Sequence, residues 1–135
     1  MIRRLDDRTS VSGQLRPEEI AGLAERGIAM VVNNRPDGEE PGQPLAADIE
    51  AAAEAAGMSY RHVPIIRGIG PADVAAMRDA LHAAGDGQTL AFCRSGNRSA
   101  LAWALAMRED GASAEEIAEK VTAAGFDVTP IAHLL

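Results

Sequence analysis

The residue with the most chemistry within its reach is Cys93, the lone cysteine, in the run Cys93-Arg94-Ser95-Gly96-Asn97-Arg98. A strand that ends in such a run and passes straight into a helix points several backbone N–H groups at one spot, which makes a nest for an anion. Gly96 permits a bend that a side chain would obstruct, and a helix beginning near Ser99 adds the positive end of its dipole. The same field favours a thiolate, so Cys93 is expected to act as a nucleophile without a paired base. Arg98, returning to the mouth of the loop, can grip two oxygens of an oxyanion with its planar fork, which lysine cannot do. The amides from Arg94 to Asn97 line the cradle, and Ser95 or Ser99 is placed to donate a hydroxyl to the sulfur.

The elements around this loop are legible as alternating strand and helix signals. Arg16-Pro17-Glu18-Glu19 opens a helix that Gly27 closes, and the apolar, β-branched run Ile28 to Val32 reads as a buried strand. Pro36, Gly38, Pro41, Gly42 and Pro44 keep residues 35–44 irregular, a loop longer than most connections. A helix from Leu45 to Ala56, a strand from Met58 to Ile65, a helix from Pro71 to Ala84 and a strand from Gln88 to Phe92 follow. After the cysteine loop come a helix from Ser99 to Asp110 and, behind the capping box Ser113-Ala114-Glu115-Glu116, a last one to Ala124. The alternation predicts one α/β domain over residues 1–135, a mostly parallel central sheet with helices on both faces. In such sheets ligands sit outside the carboxyl ends of strands, where Cys93 falls.

Composition narrows the partners. The formal charge of -7 leaves no basic surface for nucleic acid, so any small anionic substrate must be attracted locally. No apolar stretch approaches a membrane span and the N-terminus has no signal-like run, which points to a cytoplasmic protein. His62, His82 and His133 lack ligand spacing, so no metal or other cofactor is expected. Arg35 and Arg67 follow strands at the correct end of the sheet to be further substrate contacts, with Asp37, Glu39 and Glu40 partly cancelling their field. Trp103 reads as a packing residue.

The loop resembles two families that use a thiolate in an anion cradle, the cysteine-based protein tyrosine phosphatases and the rhodanese sulfurtransferases. Phosphatases carry five residues between Cys and Arg; here four separate Cys93 from Arg98, which is similar to a rhodanese loop. Elsewhere Ser12-Gly13-Gln14-Leu15, Val31-Val32-Asn33-Asn34-Arg35-Pro36 and Tyr60-Arg61-His62-Val63-Pro64-Ile65 resemble dual-specificity phosphatases. The combination is similar to the phosphatase-like domain of bacterial beta-lactamase-hydrolase-like proteins. That resemblance implies Cys93 as nucleophile, Arg98 as anion clamp and Arg94 to Asn97 as loop amides.

One departure bears on the reaction. Dual-specificity phosphatases supply an aspartate general acid after the Val-Pro-Ile strand, whereas Ile66-Arg67-Gly68-Ile69-Gly70-Pro71 contains none and Asp73 is the nearest candidate. Sulfur transfer from thiosulfate or another sulfane-sulfur donor through a Cys93 persulfide needs no such acid. Sulfur transfer is therefore the first expectation, phosphoester hydrolysis through cysteinyl phosphate the second, and a non-catalytic anion-binding or redox-sensing module the third.

Overall fold

The computed structural model describes residues 1–135. Its elements run β1 (Ile2–Arg4), β2 (Thr9–Ser12), α1 (Pro17–Glu25), β3 (Ile28–Asn33), α2 (Ala46–Ala55), β4 (Ser59–His62), α3 (Pro71–Ala83), β5 (Gln88–Phe92), α4 (Asn97–Glu109) and α5 (Ala114–Ala123), ending in a 3-10 helix over Thr129–Leu134. The strands form one sheet in the order β1-β2-β5-β3-β4, parallel except for the edge strand β1. The α/β class and the mostly parallel sheet are as the sequence predicts. The pair β1 and β2 is not anticipated, because Ile2-Arg3-Arg4 and Thr9-Ser10-Val11-Ser12 are short and largely polar; the pairing of β2 with β5 decides their conformation.

Strand alternation divides the core between the two faces. Val31, Leu90 and Phe92 point to one side and pack with Ile20 and Leu23 of α1 and Ile49 and Ala53 of α2. Met30, Val32 and Ala91 point to the other, against α3, α4 and α5. The strand expected over Met58 to Ile65 stops at His62, since Pro64 has no N–H to give. Val63 and Ile65 still donate to the carbonyls of Asn33 and Asn34, at 2.8 and 3.0 Å, so the chain stays tied to β3 as it leaves the sheet.

β5 lies between β2 and β3, and the chain reaches it last, so its carboxyl end sits where strand connections diverge to opposite sides. That is the crevice in which open α/β sheets bind ligands. The helix that leaves it, α4, is buried from Ser99 through Ala106 without a break. A helix apolar all round must be covered all round. Here the sheet, α3, α5 and the 3-10 helix do so. Alanines at 100, 102, 104 and 106 set how closely they approach. Enlarging one forces the layers apart: Ala104→Leu should cost about 1–3 kcal/mol through overpacking, measured by urea denaturation.

Candidate functional site

The sulfur of Cys93 lies at the floor of the β5–α4 turn, and the residue is only 1% exposed. The Gly96 N–H donates to Sγ at 3.1 Å. Gly96 is the N-cap of α4 with φ of 94°, a left-handed backbone that favours glycine. A Cβ there would also stand 3.2 Å from the Phe126 ring and 3.4 Å from the Ser12 backbone. The bend starts α4 at Asn97, two residues before the expected Ser99, which brings the helix end directly over the thiol. The N–H groups of Arg94, Ser95 and Arg98 have no protein acceptor, the condition for an anion nest. Behind the loop Gln14 N–H donates to the Arg94 carbonyl at 3.2 Å, and Gly13 lies so close that a Cβ would be 2.9 Å from that oxygen.

Arg98 stands over the loop with its guanidinium engaged from outside. Nη1 and Nη2 donate to Glu39 at 2.7 and 2.8 Å, and Nη1 also reaches the Ile65 carbonyl at 2.8 Å. Arg35 is expected to be a loop charge open to substrate, but its side chain is 1% exposed. It donates from Nε to Glu39 at 2.8 Å, from Nη1 to Gln14 at 3.0 Å and from Nη2 to Glu40 at 2.9 Å. All three nitrogens are thus occupied by protein, and its burial follows from the two carboxylates that neutralise it. Arg94 is exposed at the rim, with Glu40 3.8 Å away.

Other expected site residues fare differently. Ser99 is fully buried and gives its one hydroxyl proton to Asn34 Oδ1 at 2.7 Å. Its hydroxyl is thus committed to Asn34 and not to the sulfur. Asn34 in turn donates to the Val63 carbonyl at 3.0 Å, so this chain of bonds locks α4 to the ends of β3 and β4. Ser95 and Asn97 are on the exposed rim, and the Asn97 N–H leans on Ser95 Oγ at 3.4 Å. Arg67 is exposed in the 66–70 loop and makes no ion pair. Asp73 accepts from Gly70 N–H at 2.9 Å and caps α3, so it is committed there. His62 bonds to the Arg35 carbonyl at 2.9 Å, and Trp103 is in the core as expected.

Glu39 does more than cancel the field of the nearby arginines. The Arg98 hydrogen bond, aided by Arg35, holds its carboxyl at a pKa of about 2 against the usual 4.5. At neutral pH it is ionised and has no proton to give a leaving group. Because the folded value is the lower one, the stabilisation is complete above the unfolded value near 4.5 and lost as pH falls towards 2. Melting temperatures of the native chain and Glu39→Gln, followed from pH 6 downward, should converge across that acid window.

The comparisons with known proteins extend this picture. Residues 1–112 match the family model for the beta-lactamase hydrolase-like protein, phosphatase-like domain. A beta-lactamase hydrolase-like protein of Xylella fastidiosa is 38% identical over 92% of this chain, and one of Agrobacterium fabrum 35% over 80%. The chain spans only 29% and 25% of the lengths of those relatives. Among solved structures, a candidate phosphatase from Neisseria meningitidis superposes with a TM-score of 0.82 at 32% identity, covering 98% of this chain and 94% of that one. Tk-PTP in its active form gives 0.75 over 98% and 91% at 20% identity, a likeness of fold. The match over most of its length and the two close relatives place the chain in the family of phosphatase-like domains of beta-lactamase hydrolase-like proteins.

Proposed function

We propose that this domain hydrolyses phosphomonoesters through a phosphocysteine at Cys93. The observation that carries the reading is the conjunction of a sulfur held by the Gly96 N–H, unsatisfied loop amides above it and Arg98 in the first turn of the helix that leaves it. Family membership and structural neighbours described as phosphatases favour phosphate over sulfur, which reverses the order read from the sequence. P. aeruginosa TpbA, a neighbour in fold at 19% identity, has been solved with phosphotyrosine bound. The free N–H groups of Arg94, Ser95 and Arg98, with the Arg98 guanidinium, hold the non-bridging oxygens while the thiolate attacks phosphorus. The S–P bond forms as the P–O bond breaks, and water then releases phosphate from sulfur.

The proton for the departing oxygen has no resident donor in the 66–70 loop, Asp73 being tied to Gly70 and Glu39 ionised. An enzyme without that acid loses about 10²–10⁴ in rate on basic leaving groups and little on acidic ones. Turnover should therefore fall steeply along a series of aryl phosphates as the phenol becomes more basic, and alkyl phosphates should be poor substrates. A flat series would show that an acid does operate.

The same missing acid favours a second reading, rhodanese-like sulfur transfer. There the thiolate takes a sulfane sulfur from thiosulfate, sulfite leaves without a proton, and an acceptor thiol or cyanide removes the sulfur. Intact mass after mixing separates the two. An adduct of about 80 Da from an aryl phosphate, absent in Cys93→Ser, supports phosphocysteine. An adduct of about 32 Da from thiosulfate, with thiocyanate formed on adding cyanide and no phosphate release, would overturn the lead.

A further inference from the structure

Arg98 has five N–H donors, and the structure shows which remain for a ligand. Its Nη1–Nη2 end is closed by the two oxygens of Glu39, and the second Nη1 hydrogen goes to the Ile65 carbonyl. What is left is Nε–H and one hydrogen of Nη2, the side edge of the guanidinium, a pair spaced for two oxygens of one oxyanion. The same guanidinium stands close enough to Cys93 for the side chain of the cysteine to act on its charge.

Glu39 is not on a swinging segment. Its own N–H donates to Gln43 Oε1 at 3.1 Å, Gln43 Nε2 to the Pro36 carbonyl at 2.8 Å, and Asp37 caps α2 through the Ala46 N–H at 2.8 Å. Its Oε1 accepts from both Arg98 Nη2 and Arg35 Nε, each at 2.8 Å. Arg35 is anchored at its backbone too, its N–H bonded to Asn33 Oδ1 at 2.9 Å and its carbonyl to His62. A long flexible arginine is thereby fixed through a carboxylate to a buried, immobile one.

We propose that Glu39, held by Arg35, is a positioning residue that turns Arg98 so that its Nε–Nη2 edge meets the oxyanion over Cys93. The inference rests on the reading of Arg98 as the oxyanion clamp, whichever group the thiol then accepts. The rival is a plug, in which the Glu39 carboxylate occupies the anion's own place and must be expelled. The two differ in sign. Removing a positioning carboxylate weakens oxyanion binding although the site gains positive charge, whereas removing a plug tightens it.

Tungstate binding, followed by calorimetry, reads this without turnover, so the outcome is independent of whether phosphoesters are hydrolysed. Glu39→Gln should weaken tungstate about tenfold or more, the loss of one charge-assisted contact. In an Arg98→Lys background, where no fork remains to be turned, the same change should have little effect, a coupling a merely structural role would not produce. Glu39→Asp keeps the charge with a shorter reach and serves if the glutamine variant does not fold; it too should weaken tungstate. Tighter tungstate binding in either variant, or unchanged binding in a folded one, would overturn the proposal.

Discussion

Everything at this site follows from one backbone bend, the left-handed turn at Gly96 that sends β5 into α4. It aims the first N–H groups of a helix at the same spot as the amides of the preceding turn, with the lone cysteine of the chain beneath them. Such a bend exposes polar backbone at the heart of a packed sheet, which is tolerable only where a ligand or a thiolate can take up the donors. The surrounding layers serve to hold that bend. α4 is buried along its length, Ser99 is bonded to Asn34, and Gly13 and Phe126 press against the turn from behind.

Charge is managed with the same economy of movement. A chain with net charge -7 could not attract a dianion from a distance, so cations must be concentrated where the substrate sits. Three arginines gather around the loop, and two glutamates from one braced segment meet them. Burial of Arg35 without carboxylates would cost several kcal/mol, so Glu39 and Glu40 are a condition of its place in the fold. Arg98 is only partly buried, and one side of it remains open.

The sequence made the cysteine loop, the central strands and the helices readable because each carries a local signal: glycine at a forced bend, β-branched runs, proline and capping residues at helix starts. What it hid depends on distant partners. β1 and β2 are too short and polar to be recognised without β5 beside them. Arg35 in isolation looks like a loop cation, since nothing local says that Gln14, Glu39 and Glu40 converge on it. Ser99 looks like a hydroxyl for the sulfur until Asn34 is found to hold it. The available clue was the density of polar residues at the end of an otherwise apolar strand, Asn33-Asn34-Arg35, which a buried position tolerates only if every donor is met.

The arrangement also bears on what kind of chemistry such a loop can support when the proton donor is missing. Fixed amides and a fixed guanidinium stabilise charge on the oxygens of the transferred group, and they do so without any group changing its protonation state. They do nothing for charge on the atom that leaves. Selection among substrates then falls to the leaving atom itself: a phenolate of low basicity or a sulfite departs unaided, while an alkoxide does not. On the proposed reading, a four-residue loop with one oriented arginine would set a chemical filter at the step of bond cleavage, which substrates would pass by the stability of what they release more than by the shape of what they present.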